Sequence, residues 1–146
     1  MKIKLLAKSI IVWIIMCSYT SFAQKSQDIT KNEKIVRQVY AAYEKKDWHM
    51  LEVIFADGFT FTSPAGDDHI NVKVYKERCW PNAYNLKKFE LKNVIIDGSD
   101  AFVLYNAWTN DDKSYRNTEH FKLKDGKIVE MECFFGVGIG FPNSGK

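Results

Sequence analysis

The stretch SYRNTEHFKLKDGKIVEMECFFG, from Ser114 to Gly136, contains two strand patterns separated by a tight turn. In the first strand, Tyr115 and every second residue after it form the more apolar face, and polar residues alternate with them. Alternation with a period of two is typical of a strand with one buried face. Asp125-Gly126 is a strong signal for a short hairpin turn. The stretch therefore predicts two neighbouring antiparallel strands, the second of which closes the sheet.

Two more strand patterns precede this hairpin, FELKNVIID at residues 89–97 and AFVLYNAWT at residues 101–109. Turn residues lie between the successive patterns, first at 97–100 and then at 110–112. Long strands joined by short turns predict an antiparallel meander. Farther upstream, FTFTS at residues 59–63 alternates phenylalanine with hydroxyl residues and predicts one more half-buried strand.

Helical patterns come first in the chain. Thr30 to Glu33 resemble a capping box, and apolar residues follow at helical spacing to Tyr43. Asp47 is a suitable cap for a second helix that reaches Phe55, and Asn71 for a third that ends before Pro81. Helices followed by strands predict an α+β domain, in which N-terminal helices pack on a curved antiparallel sheet and form a cone with a central pocket.

Residues 1–23 have the features of a secretory signal peptide. Three lysines precede an apolar run from Ile10 to Cys17, and Ser21-Phe22-Ala23 fits a small-x-small cleavage site. The run is short for a transmembrane helix, although a retained anchor is the competing interpretation. We expect cleavage after Ala23, a polar lead-in at residues 24–29, and an exported protein that is periplasmic or extracellular.

Residues 24–146 carry equal numbers of basic and acidic side chains, 18 of each, because three of the 21 basic residues lie in the signal segment. A net-neutral chain of 123 residues forms one domain and offers no electrostatic reason to bind nucleic acid, or a membrane after signal cleavage. Cys79 and Cys133 remain, either as a disulfide or as small buried thiols, and we favour buried thiols.

Several segments together resemble a known family: VYAAYEKKDWHMLEVIFADGFTFTSP, YKERCWPN and RNTEHFKLKDGKIVEMECFFG. With the order of elements, they look like the SnoaL-like branch of the nuclear transport factor 2-like superfamily. The resemblance implies a cone-shaped domain over residues 30–137, a C-terminal tail at 138–146, and a homodimer formed through the sheet. The superfamily includes ketosteroid isomerases, polyketide cyclases, dehydratases, epoxide hydrolases and non-catalytic binding modules, so the fold alone does not identify the activity.

Asp68 and His69 are candidates for acid–base chemistry in the segment Asp67-Asp68-His69. A nearby helix start would lower the pKa of the carboxyl groups, which disfavours Asp68 as a base near neutral pH, and would favour a neutral imidazole at His69. The competing interpretation is loop solvation and helix capping. The histidines and cysteines have no spacing typical of a metal site, so no metal is predicted.

Glu119 is the strongest candidate. Alternation places it and Asn117 on the apolar face of their strand, while His120 points to the opposite face. A buried carboxylate requires a partner. Glu119 is therefore either a structural acid bonded to a tyrosine or a pocket group that orients a ligand or moves a proton.

The aromatic residues predict a pocket for a small apolar or aromatic molecule, although they also suit an ordinary core. The predicted ligand-binding residues are Tyr43, Phe59, Phe61, Tyr75, Trp80, Tyr105, Asn117 and Phe135. Two functions follow: a binding module, or a cofactor-independent isomerase, cyclase, dehydratase or hydrolase. A third possibility is an interaction protein that uses the outer sheet face. No cofactor is predicted for any of them.

Overall fold

A computed structural model describes residues 27–135 of the 146-residue chain. The predicted signal segment 1–23 and the tail 138–146 lie outside the described residues. The described part has the predicted α+β architecture, with helices packed against one six-stranded sheet. Within residues 27–135, no helix is long and apolar enough to cross a membrane.

The helices differ from prediction at their ends. Helix α1 covers residues 27–45, so residues 27–29 are helical and Thr30 lies inside the helix. Helix α2 is the single turn His49–Glu52, so Phe55 does not belong to it. Phe55 starts a strand instead, and its ring stacks on Phe59 with 3.9 Å between ring centroids. A short apolar run does not distinguish helix from strand by its spacing, and pairing with a distant strand decides it here.

Helix α3, Val72–Arg78, begins and ends as predicted. The side-chain oxygen of Asn71 accepts a hydrogen bond from the Val74 N–H at 3.1 Å, which caps the first turn. A 3₁₀ helix, Trp80–Asn85, follows with Pro81 in its first turn. This cap and this proline fix where α3 lies along the chain.

The six strands form one sheet in the order β2-β1-β6-β5-β4-β3. In chain order they are β1 Phe55–Ser63, β2 Asp67–Asn71, β3 Leu86–Asp97, β4 Asp100–Thr109, β5 Ser114–Lys124 and β6 Lys127–Cys133. Strands β3 to β6 form the predicted meander. The sheet is mixed rather than wholly antiparallel, however, because β1 pairs with β6 in parallel. Short turns reveal antiparallel neighbours, whereas this pairing joins distant parts of the chain and leaves no local signal.

Strand β2 corrects the interpretation of Asp67-Asp68-His69 as a loop before a helix. These residues form an edge strand paired with β1, in which Asp67 lies opposite Ser63. The helix start is at Asn71, beyond the strand, so the predicted helix-dipole effect on these acids does not apply.

The predicted faces of β5 are correct. Asn117, Glu119, Phe121 and Leu123 are buried on the helix-facing side, while His120 is on the other face. In β6 the alternation breaks at Val129, because an irregular register pairs Lys122 with Glu130 but Leu123 with Ile128. Ile128 is therefore buried and Val129 only half-buried, as expected for a bulge.

Candidate functional site

A cavity of about 540 Å³ lies between the helices and the inner face of the sheet. Six of the predicted ligand-binding residues line it: Tyr43, Phe61, Tyr75, Tyr105, Asn117 and Phe135. Phe59 and Trp80 do not line it. Both are buried in the core, where Phe59 stacks on Phe55 and Trp80 packs edge-to-face on Trp48.

Glu119 lies in the cavity wall and is 6% exposed. Its two carboxyl oxygens accept hydrogen bonds from two tyrosine hydroxyls, Tyr40 on α1 at 2.6 Å and Tyr105 on β4 at 3.0 Å. The Cys133 thiol donates a weaker third hydrogen bond at 3.4 Å. The buried acid therefore has partners from three different elements, and the predicted tyrosine partner is present twice.

Asn117 extends this polar cluster along β5. Its amide nitrogen lies 2.9 Å from the Tyr105 hydroxyl and 2.9 Å from the Cys133 sulfur, and it donates to both. The Asn117 side-chain oxygen accepts from the Thr118 N–H. Because the amide orients the hydroxyl that binds Glu119, the carboxyl group sits in a defined network rather than in a flexible pocket.

Burial determines the protonation of this cluster. Desolvation raises the pKa of Glu119, and the donors Tyr40, Tyr105 and Cys133 oppose that shift only in part. Burial first, and then the nearby carboxyl group, raise the pKa of Tyr40 and Tyr105 well above the usual tyrosine value. Both tyrosine hydroxyls therefore stay protonated and act as donors. Glu119 is the acid of the cluster, and burial raises its pKa in the direction of neutral pH.

A second pair of hydroxyls, Tyr43 and Tyr75, also faces the cavity, with the oxygens 2.6 Å apart. One hydroxyl donates to the other, so the pair has both a spare donor and spare acceptor capacity. Cys79 also lines the cavity, but burial raises its pKa to about 11. At neutral pH this thiol is not the thiolate that nucleophilic catalysis requires.

The structure does not bring Asp68 and His69 to the cavity. Both side chains are exposed, by 87% and 68%, and they pair with each other. The hydrogen bond from His69 to Asp68 raises the pKa of the imidazole, which is opposite to the shift predicted from a helix start. Asp68 follows the alternation of β2 away from the cavity, whereas the positive φ of 48° at His69 interrupts that alternation and leaves this side chain exposed as well.

Their neighbour Asp67 does line the cavity, and the sequence interpretation missed it. Asp67 is 6% exposed, accepts a hydrogen bond from the Ser63 hydroxyl at 2.7 Å, and forms an ion pair with Arg78 at 2.9 Å. The alternation of β2 signals this burial only once the strand is recognised, because Asp67 and Asp68 then point to opposite faces.

On the outer face of the sheet, His120, Glu130 and Glu132 have side-chain ligand atoms within 4.8 Å of one another. Among residues 27–135 this group comes nearest to a metal-binding set, which residue spacing did not indicate because two strands contribute to it. The two ring nitrogens of His120 each face a carboxylate, Glu132 at 3.0 Å and Asp100 at 2.9 Å. These contacts of His120 involve Glu132 and Asp100 but not Glu130.

A family model described as a SnoaL-like domain matches residues 36–131, more than half of the chain. The chain belongs to the SnoaL-like domain family. The match includes Tyr40, Tyr105, Asn117 and Glu119 and most of the cavity wall, and it agrees with the resemblance seen in the sequence. No curated protein matches the chain.

Solved structures share this SnoaL-like fold. A candidate ketosteroid isomerase from Kribbella flavida is 16% identical with a TM-score of 0.65, over 79% of this chain and 84% of that one. A candidate polyketide cyclase from Sinorhizobium meliloti is 22% identical with a TM-score of 0.58, over 69% and 94%. A de novo designed protein with a curved β-sheet is 14% identical with a TM-score of 0.62, over 71% and 84%. At such identities the likeness concerns the fold alone, and the designed neighbour illustrates that this fold does not require one function.

Proposed function

We propose that this SnoaL-like domain binds a small, mostly apolar or aromatic molecule in the central cavity, with a polar group of the ligand at the Glu119 cluster. One observation carries the proposal. A buried carboxyl group held by Tyr40 and Tyr105 lies in the wall of a cavity whose lining includes eight aromatic side chains. Apolar cavities with a few fixed polar groups are the usual form of small-molecule sites.

The polarity of the cluster limits the ligand. Three hydroxyl or thiol donors already point at Glu119, and the carboxyl pKa is raised by burial. A ligand anion next to this carboxyl group would add repulsion in a region of low dielectric. A neutral group suits the cavity better, because a hydroxyl can donate to the Tyr40 oxygen and a carbonyl can accept from the spare donor of the Tyr43–Tyr75 pair.

The test is binding of aromatic and alicyclic alcohols and ketones, followed by amide chemical shifts and thermal unfolding. We expect shifts at cavity-lining residues and a higher melting temperature for the compounds that bind. Glu119→Gln should weaken that binding by about tenfold, which corresponds to ~1.4 kcal/mol. His120→Gln is the matched control on the same strand, and it should leave affinity unchanged because His120 is on the outer face. If no compound in such a panel shifts the cavity residues, the proposal fails.

A second candidate function is cofactor-independent proton transfer, as in an isomerase, and the raised pKa of Glu119 favours it. As a carboxylate, Glu119 would take a proton from a carbon next to a ligand carbonyl and return it to another carbon, so that no co-reactant is consumed. A tyrosine hydroxyl would polarise the carbonyl oxygen.

Carboxyl chemical shifts recorded through a pH titration separate the two candidates. Proton transfer near neutral pH requires Glu119 to titrate well above an ordinary glutamate, and bound ketones should exchange carbon-bound hydrogen with deuterated water. If Glu119 titrates like a surface acid and no exchange occurs, only the binding function remains.

A further inference from the structure

The side-chain amide of Asn117 has an orientation that the backbone fixes. Its oxygen can only accept a hydrogen bond, and its nitrogen can only donate. The Thr118 backbone N–H is a donor and contacts the amide at 2.8 Å, which identifies that end as the oxygen. The amide nitrogen therefore faces Tyr105 and Cys133, each at 2.9 Å.

The direction of the next hydrogen bonds follows from this orientation. The Asn117 nitrogen gives its two hydrogens to the Tyr105 oxygen and the Cys133 sulfur. Neither group can donate back to an amide nitrogen, so each keeps its own hydrogen for another acceptor. Both hydrogens go to the same atom, Glu119 Oε1, which lies 3.0 Å from the hydroxyl oxygen and 3.4 Å from the sulfur. The amide thus keeps two donors on one carboxyl oxygen.

The two oxygens of Glu119 differ as a result. Oε1 accepts two hydrogen bonds, which occupy both of its lone pairs. In the described part of the chain, Oε2 accepts one hydrogen bond, from the Tyr40 hydroxyl at 2.6 Å. A proton on Oε1 would displace one of two donors from a buried acceptor, whereas Oε2 has a lone pair free. Protonation therefore costs less free energy at Oε2 than at Oε1.

We propose that Asn117 is a positioning residue, which keeps Oε1 of Glu119 occupied so that the carboxyl group takes up and releases its proton at Oε2, beside Tyr40. It acts through Tyr105 and Cys133. The two tyrosines then differ in role, although both are buried and both bind the same carboxyl group. The Tyr105 hydroxyl is a fixed donor, and the Tyr40 hydroxyl is the partner of the oxygen that changes its protonation. This inference deepens the proposed function and rests on it for its meaning at a ligand site.

Reversal of the polarity at position 117 tests the positioning role. Asn117→Asp keeps the side-chain shape but replaces the donor by an acceptor, which draws the Tyr105 and Cys133 hydrogens away from Glu119. Carboxyl chemical shifts of residues 24–146 should then show two apparent pKa values for the pair of acids. The upper value should lie roughly 1 to 2 pH units above the pKa of Glu119 in wild type.

A second variant at this position keeps the test available if the aspartate variant does not fold. Asn117→Leu retains the volume but has no hydrogen-bonding group, so the Tyr105 and Cys133 donors lose their orientation. The pKa of Glu119 should rise in this variant too, by less than in Asn117→Asp. An unchanged pKa of Glu119 in the variants that fold overturns the positioning role.

Asn106→Asp is the matched control. Asn106 is also a buried asparagine, on the neighbouring strand β4, and its side-chain oxygen accepts from Arg116 at 3.0 Å. Among residues 27–135 it makes no hydrogen bond to the Glu119 cluster, so the same change should move the pKa of Glu119 by less than about half as much. Equal effects of Asn106→Asp and Asn117→Asp would mean that the added charge alone is responsible, which also overturns the positioning role.

The two tyrosines test the difference between the carboxyl oxygens. Tyr40→Phe removes the donor to Oε2, whereas Tyr105→Phe leaves Oε1 with the Cys133 thiol. Because a hydrogen bond to the ionised form is stronger than one to the neutral form, the pKa of Glu119 should rise more in Tyr40→Phe. The reverse order overturns the assignment of the proton to Oε2. None of these titrations needs a ligand, so the inference can fail while binding stands, and a failure of binding is measured separately.

Discussion

Glu119 illustrates how one buried acid can stabilise a site and destabilise a fold at the same time. Its oxygens accept hydrogen bonds from Tyr40, Tyr105 and Cys133, yet desolvation still raises its pKa. A buried group whose protonated form is favoured binds a proton more tightly in the folded chain than in the unfolded chain. Glu119 thus places a titratable group at the cavity, and ionisation of that group lowers the free energy of unfolding.

The first prediction concerns this pH dependence. Because the folded pKa of Glu119 is raised, its contribution to stability is fully present below the unfolded pKa, about 4.3, and is lost as pH rises through the folded pKa. Glu119→Gln removes the titration, so the stability of the variant relative to wild type should increase over that pH range, by ~1.4 kcal/mol for each unit of pKa shift. Urea denaturation at several pH values measures it.

The control is Glu77→Gln, in which an exposed acid on α3 is changed. Its stability relative to wild type should stay nearly constant across the same pH range. A flat profile for Glu119→Gln as well would mean that the carboxyl group is not desolvated in the folded protein.

At the scale of elements, the short helix α3 links the fold to the site. Its seven residues carry both Tyr75 and Arg78, which line the cavity, and it is held by the Asn71 cap at its start. So short a helix has little stability of its own. Its position therefore depends on the cap, on burial of Tyr75 and on the ion pair between Arg78 and Asp67.

We predict that Asn71→Ala lowers the free energy of unfolding by about 1 kcal/mol, the usual effect of losing a side-chain cap. Chemical denaturation measures the change. Asn71→Ser retains a capping oxygen and should stay within a few tenths of a kcal/mol of wild type. The opposite order of the two variants would show that the Asn71 side chain stabilises the edge strand rather than the helix.

At the scale of the whole molecule, the outer face of the sheet combines polar and apolar groups. Ile95 and Phe102 lie opposite each other on β3 and β4 and are 57% and 46% exposed. Phe102 stacks on His120, which is itself held by Asp100 and Glu132. Together Ile95 and Phe102 give this face of the sheet a small exposed apolar area.

The expected homodimer remains a prediction, and this face is where we propose it forms. Light scattering should give twice the mass of residues 24–146, and Phe102→Lys should shift the population to monomer, because it places two charges in a symmetric interface. Tyr84→Lys changes an aromatic residue that is 59% exposed outside the sheet, and should leave the dimer intact. A monomeric wild type at high concentration contradicts the prediction.

Export is the last prediction. The basic and apolar pattern of residues 1–23 predicts cleavage after Ala23. Intact-mass analysis of the protein recovered outside the cytoplasm should show a chain that starts at Gln24, and Ala23→Leu should block processing because the cleavage site needs a small residue. An unprocessed chain in the membrane fraction would instead support the retained anchor.

Local patterns were sufficient for much of this molecule. The alternation from Tyr115 to Leu123 determines which side chains face the core, because a strand has a period of two, and it correctly placed Glu119 inward and His120 outward. The turns between β3 and β6 and the Asn71 cap depend on residues a few positions apart, and they too could be predicted. The aromatic pattern correctly predicted five residues of the cavity wall, namely Tyr43, Phe61, Tyr75, Tyr105 and Phe135.

Only the tertiary structure decided the contacts between distant residues. The parallel pairing of β1 with β6 makes the sheet mixed and converts Phe55 from helix to strand. In edge strand β2 Asp67 is buried whereas Asp68 and His69 are exposed, so neither candidate residue reaches the cavity. Tyr40 reaches Glu119 across 79 positions of sequence. The spacing of residues along the chain reflects the period of a single helix or strand. The contacts between distant residues depend instead on which elements pack together, and the sequence determines that packing only through the sum of its long-range contacts.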